Sequence, residues 1–302
     1  MTFTKDRRID MTQTVGILGL GIMGGAMAAN LLKAGHTVVG FDISQEALVR
    51  FGAAGGKALG SVAEVMRGAA VVIASLPTVK AFETVYAEIA AAAGANNVVI
   101  DTCTMPLSAK TAALALLEGS QCRMLDCPVS GTGAQAVTKD LVVFASGDAD
   151  AFEKARPVLE CISRKQVYLG DFGRGSSMKF IANLLVNIHN VAAAEAITLG
   201  IKAGIDPATV VETLKDSAAT SRMFQMRGPL MVQDRYDEPT ARISLHMKDL
   251  GIITGFAEQL NCPVPLFTTA TQLYHAAMRQ GLEGEDTAAV CRVLESMAGI
   301  KR

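Results

Sequence analysis

Gly19, Gly21 and Gly24 stand in a G-x-G-x-x-G spacing inside GILGLGIMGGAMAANLL, behind an apolar run and ahead of a helical one. Each has a physical use. The first allows a tight turn, the second lets the backbone approach a pyrophosphate, and the third lets helix and strand pack closely. The helix that opens here, with Ile22 and Met23 in its first turn, offers free N–H groups and the positive end of its dipole to phosphate. Asp42 follows at the end of the next apolar run, about 20 residues on, where a carboxylate accepts the hydroxyls of an adenosine ribose. That carboxylate would repel the additional phosphate of NADP, and no arginine adjoins it in Phe41-Asp42-Ile43-Ser44. The chemistry expected is dinucleotide binding, with NAD rather than NADP.

Positioning such a loop requires a parallel sheet, and the first half of the chain alternates accordingly. Residues 14–18 read as a strand, 22–34 as a helix ended by Gly35, and 36–42 as a second strand; Ser44 caps a helix to about residue 51. The runs 71–75 and 98–101 are short and almost wholly apolar, as in strands buried on both faces. Runs at 124–128, 141–145 and 166–169 continue the series. Strands alternating with helices imply a doubly wound α/β sheet of Rossmann type. After Gly175 the β-type runs stop. Residues 176–203 form one helix of about 28 residues, roughly 40 Å long, ended by Gly204; Asp206 and Pro207 start the next. Further helices fit 247–259, 268–280 and 287–297. The expected domains are therefore 1–175, a dinucleotide-binding domain with 1–12 as an arm, and 176–302, an all-helical substrate and oligomerisation domain joined to it by the long helix.

Composition narrows the function classes. The chain has 302 residues, half of them apolar, with 28 Lys+Arg against 29 Asp+Glu. A net charge of −1 gives no broad attraction to nucleic acid or an anionic bilayer, so neither is an expected partner. The six cysteines form no C-x-x-C pair, and the four histidines have no metal-ligand spacing. Neither a metal nor a disulfide is expected. The nearly uncharged run 15–32 passes for a signal or membrane segment by hydropathy, but its glycines weaken a membrane helix and serve the loop above. A cytoplasmic location is expected.

Further motifs fall where later strand ends converge: Ser75-Leu76-Pro77-Thr78, Asp101-Thr102-Cys103-Thr104 and Asp126-Cys127-Pro128-Val129-Ser130-Gly131. Gly173-Arg174-Gly175-Ser176-Ser177-Met178-Lys179 then runs into Phe180-Ile181-Ala182-Asn183, and Met247-Lys248-Asp249-Leu250-Gly251 lies farther on. With the glycine loop, these ordered motifs resemble the β-hydroxyacid dehydrogenase family, over nearly the whole chain. That family includes 3-hydroxyisobutyrate dehydrogenases and tartronate semialdehyde (2-hydroxy-3-oxopropionate) reductases. The resemblance implies that Lys179 is the catalytic lysine and that Asn183 assists it. It implies that Ser130 and Gly131 hold a substrate carboxylate, and that Leu76, Pro77, Thr104 and Lys248 meet the cofactor. A homodimer or homotetramer is implied as well.

The residue types agree with that chemistry. Lys179 and Asn183 are four apart and project from one helix face. An ammonium beside a carbonyl oxygen stabilises the alkoxide formed on reduction and gives it a proton; the neutral amine is the base for oxidation. The expected activity is hydride transfer between NAD and a small β-hydroxy acid or its semialdehyde or keto form. Imine reduction on the same scaffold and a nonenzymatic dinucleotide-binding scaffold are the alternatives, and Lys179 counts against both. The chain departs from the family after the serine. Thr132 replaces a second glycine, and Gln135 and Lys139-Asp140 follow. Thr132 and Gln135 are expected to narrow the substrate pocket or to add hydrogen bonds for a more hydroxylated substrate.

Overall fold

The computed structural model describes residues 12–302 except residue 95. The expected arm over 1–12 lies, but for Thr12, outside the described residues. The chain divides into two compact units, the first ending at Ser176 and the second running from Ser177 to Arg302.

The first unit is built on a six-stranded parallel sheet of order β3-β2-β1-β4-β5-β6. Its strands are β1 (Thr14–Leu18), β2 (Thr37–Phe41), β3 (Lys57–Ala58), β4 (Val71–Ala74), β5 (Val98–Asp101) and β6 (Arg123–Asp126). Between them run α1 (Ile22–Lys33), α2 (Gln45–Ala53), α3 (Val62–Gly68), α4 (Val79–Ala92) and α5 (Leu107–Leu116). The central strands are apolar throughout because both faces are covered. Ile17, Val71, Ile73, Val98 and Ile100 pack with Met27 and Leu31 of α1. Leu18, Val72, Ala74 and Val99 turn to the opposite face, against Val65, Phe82 and Tyr86. This alternation is the two-residue period of a strand. The apolar run 15–32 resolves into β1, the glycine loop and most of α1, rather than one membrane-length helix.

The later strands depart from expectation. Instead of extending the doubly wound series, β7 (Val129–Ser130), β8 (Val142–Ala145) and β9 (Lys165–Tyr168) form a separate three-stranded sheet. In it β7 pairs antiparallel with β8, and β8 pairs parallel with β9. The chain reverses through the short helix α6 (Gly133–Val137), and α7 (Ala149–Ile162) links β8 to β9. A bridge between Asp126 and Ser146, whose backbones exchange hydrogen bonds of 2.9 and 2.8 Å, ties this sheet to the end of β6.

The second unit is helical. The 29-residue helix α8 (Arg174–Lys202) begins two residues earlier than expected and supplies most of its length to this unit. By length and composition α8 is apolar enough to cross a membrane, yet Phe180, Val191, Ala194 and Ile197 are buried as in a core helix. Gly200 lies inside it because a side chain there would meet Val210 Cγ2 at 2.6 Å, where α9 (Pro207–Leu214) packs against it. Asp206 caps α9 as expected, accepting from Thr209 N, with Pro207 in its first turn. The remaining helices are α10 (Arg222–Gln233), α11 (Ile243–Gln259), α12 (Pro265–Arg279) and α13 (Val290–Met297), the last preceded by a 3₁₀ turn at Thr287–Ala289. The sequence reading has no helix at α10. Ser221 nevertheless caps that helix through Phe224 N, and Pro229 is accommodated within it.

Candidate active site

In the first unit the glycine loop joins the end of β1 to α1. Gly19 has φ +92°, and its N–H donates to Phe41 O at 3.0 Å. A side chain at Gly19 would stand 2.3 Å from Ser75 O, and one at Gly24 would stand 1.9 Å from Gly19 O. Those two glycines are required by the turn and by close packing. Gly21 is different: a side chain there would meet nothing within 4 Å. It caps α1 without any side-chain hydrogen bond, so the first-turn amides, those of Ile22 and Met23 included, face a cradle open to a ligand. The Asp42 carboxylate closes one side of the loop, accepting from Leu20 N at 2.6 Å and Ser44 N at 2.8 Å. This donor set, with an acid at the end of β2, fits a dinucleotide pyrophosphate and its ribose.

The loops after β4 and β5 lie at the carboxyl ends of adjacent parallel strands. Leu76 N donates to Cys103 Sγ at 3.1 Å, and Thr78 caps α4 through Ala81 N. Pro77 is exposed and Thr104 half-buried. The acids Asp101 and Asp126 that open two of these motifs are buried. Lys110 of α5 is wholly buried and sits 2.9 Å from Asp101 Oδ2 and 2.7 Å from Asp126 Oδ1, both equally buried. Asp126 also accepts from Ser176 N and Ser176 Oγ, each at 2.7 Å. Burial raises the Asp101 carboxyl above the ordinary carboxylate range, with Lys110 opposing the shift. Desolvation also disfavours the charged form of Lys110, but the two acids outweigh it and raise its pKa. Asp101 and Asp126, the first residues of two of these motifs, are therefore members of a buried ion network.

Ser130 ends β7, half-buried, and Gly131 follows with φ +140°. A side chain at Gly131 would come within 2.5 Å of Leu141 Cδ2. Thr132 is the N-cap of α6 in a reciprocal capping box: its hydroxyl accepts from Gln135 N, and its own N–H donates to Gln135 Oε1 at 3.0 Å. Gln135 Nε2 in turn donates to Asp140 Oδ2 at 3.0 Å, while Asp140 Oδ1 is 2.6 Å from Arg164. The departure from the family thus forms a cap and a side-chain chain. In this turn the Ser130 hydroxyl and the Gly131 N–H remain as candidate carboxylate donors, since the Thr132 N–H is taken.

In the second unit Lys179 and Asn183 lie one turn apart on α8. Asn183 Nδ2 donates to Asp249 Oδ2 at 3.0 Å, and Lys248 Nζ is 3.5 Å from Asp249 Oδ1. Lys179 is half-buried, and its pKa is lowered mainly because burial strips water from the ammonium; Lys248 adds to this and Asp249 opposes it. Burial raises Asp249, against the pull of both lysines. A lysine whose ammonium form is disfavoured by burial, on a helix face with an amide-bonded carboxylate, is suited to give and take a proton.

The same face continues one further turn to Asn187, whose Oδ1 is 3.3 Å from His246 Nε2. Neither Asp249 nor His246 was picked out from sequence. The available signal was the i, i+4, i+8 spacing of Lys179, Asn183 and Asn187, which demands polar partners if that face is buried. His189, on α8, is half-buried, and Arg222 is exposed at the start of α10.

Residues 14–170 match the family described as the NAD binding domain of 6-phosphogluconate dehydrogenase. Residues 173–294 match the family described as NAD-binding of NADP-dependent 3-hydroxyisobutyrate dehydrogenase. The chain is 35% identical over 287 residues to an L-threonate dehydrogenase of Cupriavidus necator, covering 94% of this chain and 96% of that protein. It is 35% identical over 291 residues to a 3-hydroxyisobutyrate dehydrogenase of Pseudomonas aeruginosa, covering 91% and 96%. Among solved structures, the 3-hydroxyisobutyrate dehydrogenase of Mycobacterium tuberculosis with L-serine superposes with a TM-score of 0.86 at 30% identity, over 94% of this chain and 99% of that one.

Proposed function

The chain belongs to the β-hydroxyacid dehydrogenase family and is an NAD(P)-dependent oxidoreductase; from that premise we propose that it interconverts a small β-hydroxy acid and its semialdehyde or keto form, with Lys179 moving the proton and NAD as the preferred cofactor. The observation that carries this reading is the depressed lysine on α8, set beside the Asn183–Asp249 hydrogen bond.

The nicotinamide cofactor, when bound, gives or takes the hydride. The protein's task is the proton and the charge. In oxidation a neutral Lys179 accepts the proton of the substrate hydroxyl; in reduction its ammonium neutralises the alkoxide and returns that proton. Desolvation lowers the pKa of the amine and so favours its neutral form, while Asp249 favours the ammonium form. Asn183 holds Asp249 in place without adding charge. The Ser130 hydroxyl and the Gly131 N–H suit a substrate carboxylate. The preference for NAD rests on Asp42, whose two oxygens are fixed by loop amides and which has no adjacent cation. Exposed apolar side chains along α8, among them Met178, Ile181, Leu185 and Leu199, support a homo-oligomer.

Lys179→Met tests the reading. Turnover is expected to fall by about 10²–10⁴-fold, the usual worth of a positioned acid–base group, while NADH still binds as judged by fluorescence. A variant that retains full activity would refute it.

A further inference from the structure

Asn187 is completely buried, yet its Nδ2 has no hydrogen-bond partner among the described residues. Burying an amide N–H without a partner is costly, and an apolar residue would avoid that cost on a helix face that packs inward. The group sits on the lysine face of α8, one turn beyond the Asn183–Asp249 bond, and its one hydrogen bond joins it to His246 of α11. His246 is held from the other side by the Tyr274 ring, edge to face at 4.8 Å between centroids. Tyr274 is fixed in turn by Asn190, which also donates to Thr287 O at 2.9 Å. The neighbourhood is therefore a braced polar ladder.

We infer that Asn187 and His246 form a hydroxyl-recognising subsite, and that the hydroxy acid turned over by this enzyme carries a second hydroxyl two or three carbons from the reacting one. The inference rests on the reading of Lys179 as the proton-transferring residue. Its chemistry follows from counting donors and acceptors. Burial and the nearby Arg227 and Lys179 push the His246 imidazole down to about 4, so at neutral pH the ring is neutral, with one N–H and one bare nitrogen. If Nε2–H donates to Asn187 Oδ1, then Nδ1 is left to accept and the amide N–H is left to donate. If the amide is turned the other way, Nδ1–H is left to donate and the amide oxygen to accept. Either assignment leaves the pair with at least one donor and an acceptor. An alcohol satisfies both; a methyl group satisfies neither, and a carboxylate can only accept. Arg227 brings no net charge to draw a second carboxylate, because Asp286 neutralises it at 3.0 Å with both side chains buried. The subsite lies about 6 Å along the helix from Asn183, a span that a short polyhydroxy chain covers.

The test compares threonate, which has hydroxyls beyond the reacting carbon, with 3-hydroxyisobutyrate, which has a methyl branch and a single hydroxyl. Full-length wild type, Asn187→Leu and His246→Phe are assayed with NAD; the phenylalanine keeps a ring against Tyr274. The wild type is expected to prefer threonate. Each variant is expected to lose roughly 10-fold or more in kcat/KM for threonate, mostly through KM. For 3-hydroxyisobutyrate the change is expected to stay within about 2-fold. If either correctly folded variant loses both substrates equally, or if the wild type prefers 3-hydroxyisobutyrate, the subsite is refuted and the dehydrogenase reading stands. If the wild type binds NADH yet oxidises neither acid, both fail. Should Asn187→Leu not fold, His246→Phe decides alone, with thermal melting as the check on folding.

Discussion

Replacing Lys110 by methionine is a severe test of how the first unit holds its charges. The ammonium lies 2.7 and 2.9 Å from two carboxylates, and all three side chains are excluded from water. At an effective dielectric of about 20 each contact is worth on the order of 6 kcal/mol of attraction, against several kcal/mol of desolvation for each ion. These gross terms nearly cancel, so the intact network adds little net stability. Removing the cation alone leaves two acids uncompensated, and the expected loss is about 3–5 kcal/mol at pH 8. Asp126 retains donors in Ser176 N, Ser176 Oγ and Ser146 Oγ, whereas Asp101 retains the Cys103 amide. Asp101 is therefore the acid expected to take up a proton. Its carboxyl is already raised by burial, and losing Lys110 raises it further. The native state then holds a proton that the unfolded chain releases above about pH 4. Stability consequently falls as the pH rises from there through the folded pKa, and the deficit against wild type is smaller at pH 5 than at pH 8. Urea unfolding followed by far-ultraviolet circular dichroism measures it, as a midpoint lowered by ~1–2 M at pH 8. The double variant Lys110→Met/Asp101→Asn should recover part of the loss. An unchanged midpoint at pH 8, or a deficit that grows toward acid, contradicts the argument.

Two further outcomes follow from the loops. Asp42→Ala removes the acceptor for Leu20 N and Ser44 N along with the charge facing a ribose, so the ratio of NAD to NADP efficiency should drop by about 10–100-fold; a wild type that prefers NADPH overturns the cofactor assignment. Thr132→Gly breaks the capping box and should cost a few tenths to about 1 kcal/mol in thermal or urea unfolding without altering substrate ranking. A changed ranking would return Thr132 to the substrate pocket.

Five strands of the six-stranded sheet were legible, the central ones because they carry almost nothing but apolar side chains, a pattern required by a sheet covered on both faces; β3, two exposed residues at the edge, carries no such signal. The last three strands were legible as strands but not as a separate sheet. Nothing in the composition of 142–145 or 165–168 states which edge they join, and the reversal after Ser130 depends on Gly131 at φ +140° and the short capped helix that follows. Lys110 shows a similar limit. In Leu107–Leu116 it reads as the one solvated residue of a small apolar helix. Its burial becomes visible only when the ends of β5 and β6 bring Asp101 and Asp126 to it.

The second unit was harder to read for a reason that bears on function. Amphipathic reading assigns apolar residues to the inside and polar ones to solvent, and it leaves Asn183, Asn187 and Asn190 without a stated purpose. The structure buries all three. Two are at least partly answered by the protein: Asn183 by Asp249, and Asn190 by Tyr274 and Thr287. Asn187 is answered only in half, by His246. A helix that buries three amides in succession gains nothing in stability over one with leucines there, so the row calls for a purpose other than packing. The row begins at the turn carrying Lys179 and ends at Asn190, whose Nδ2 makes two hydrogen bonds while its Oδ1 has no partner among the described residues. The unpartnered donor at Asn187, one turn beyond Asn183 on the lysine face, is where a substrate hydroxyl would be held.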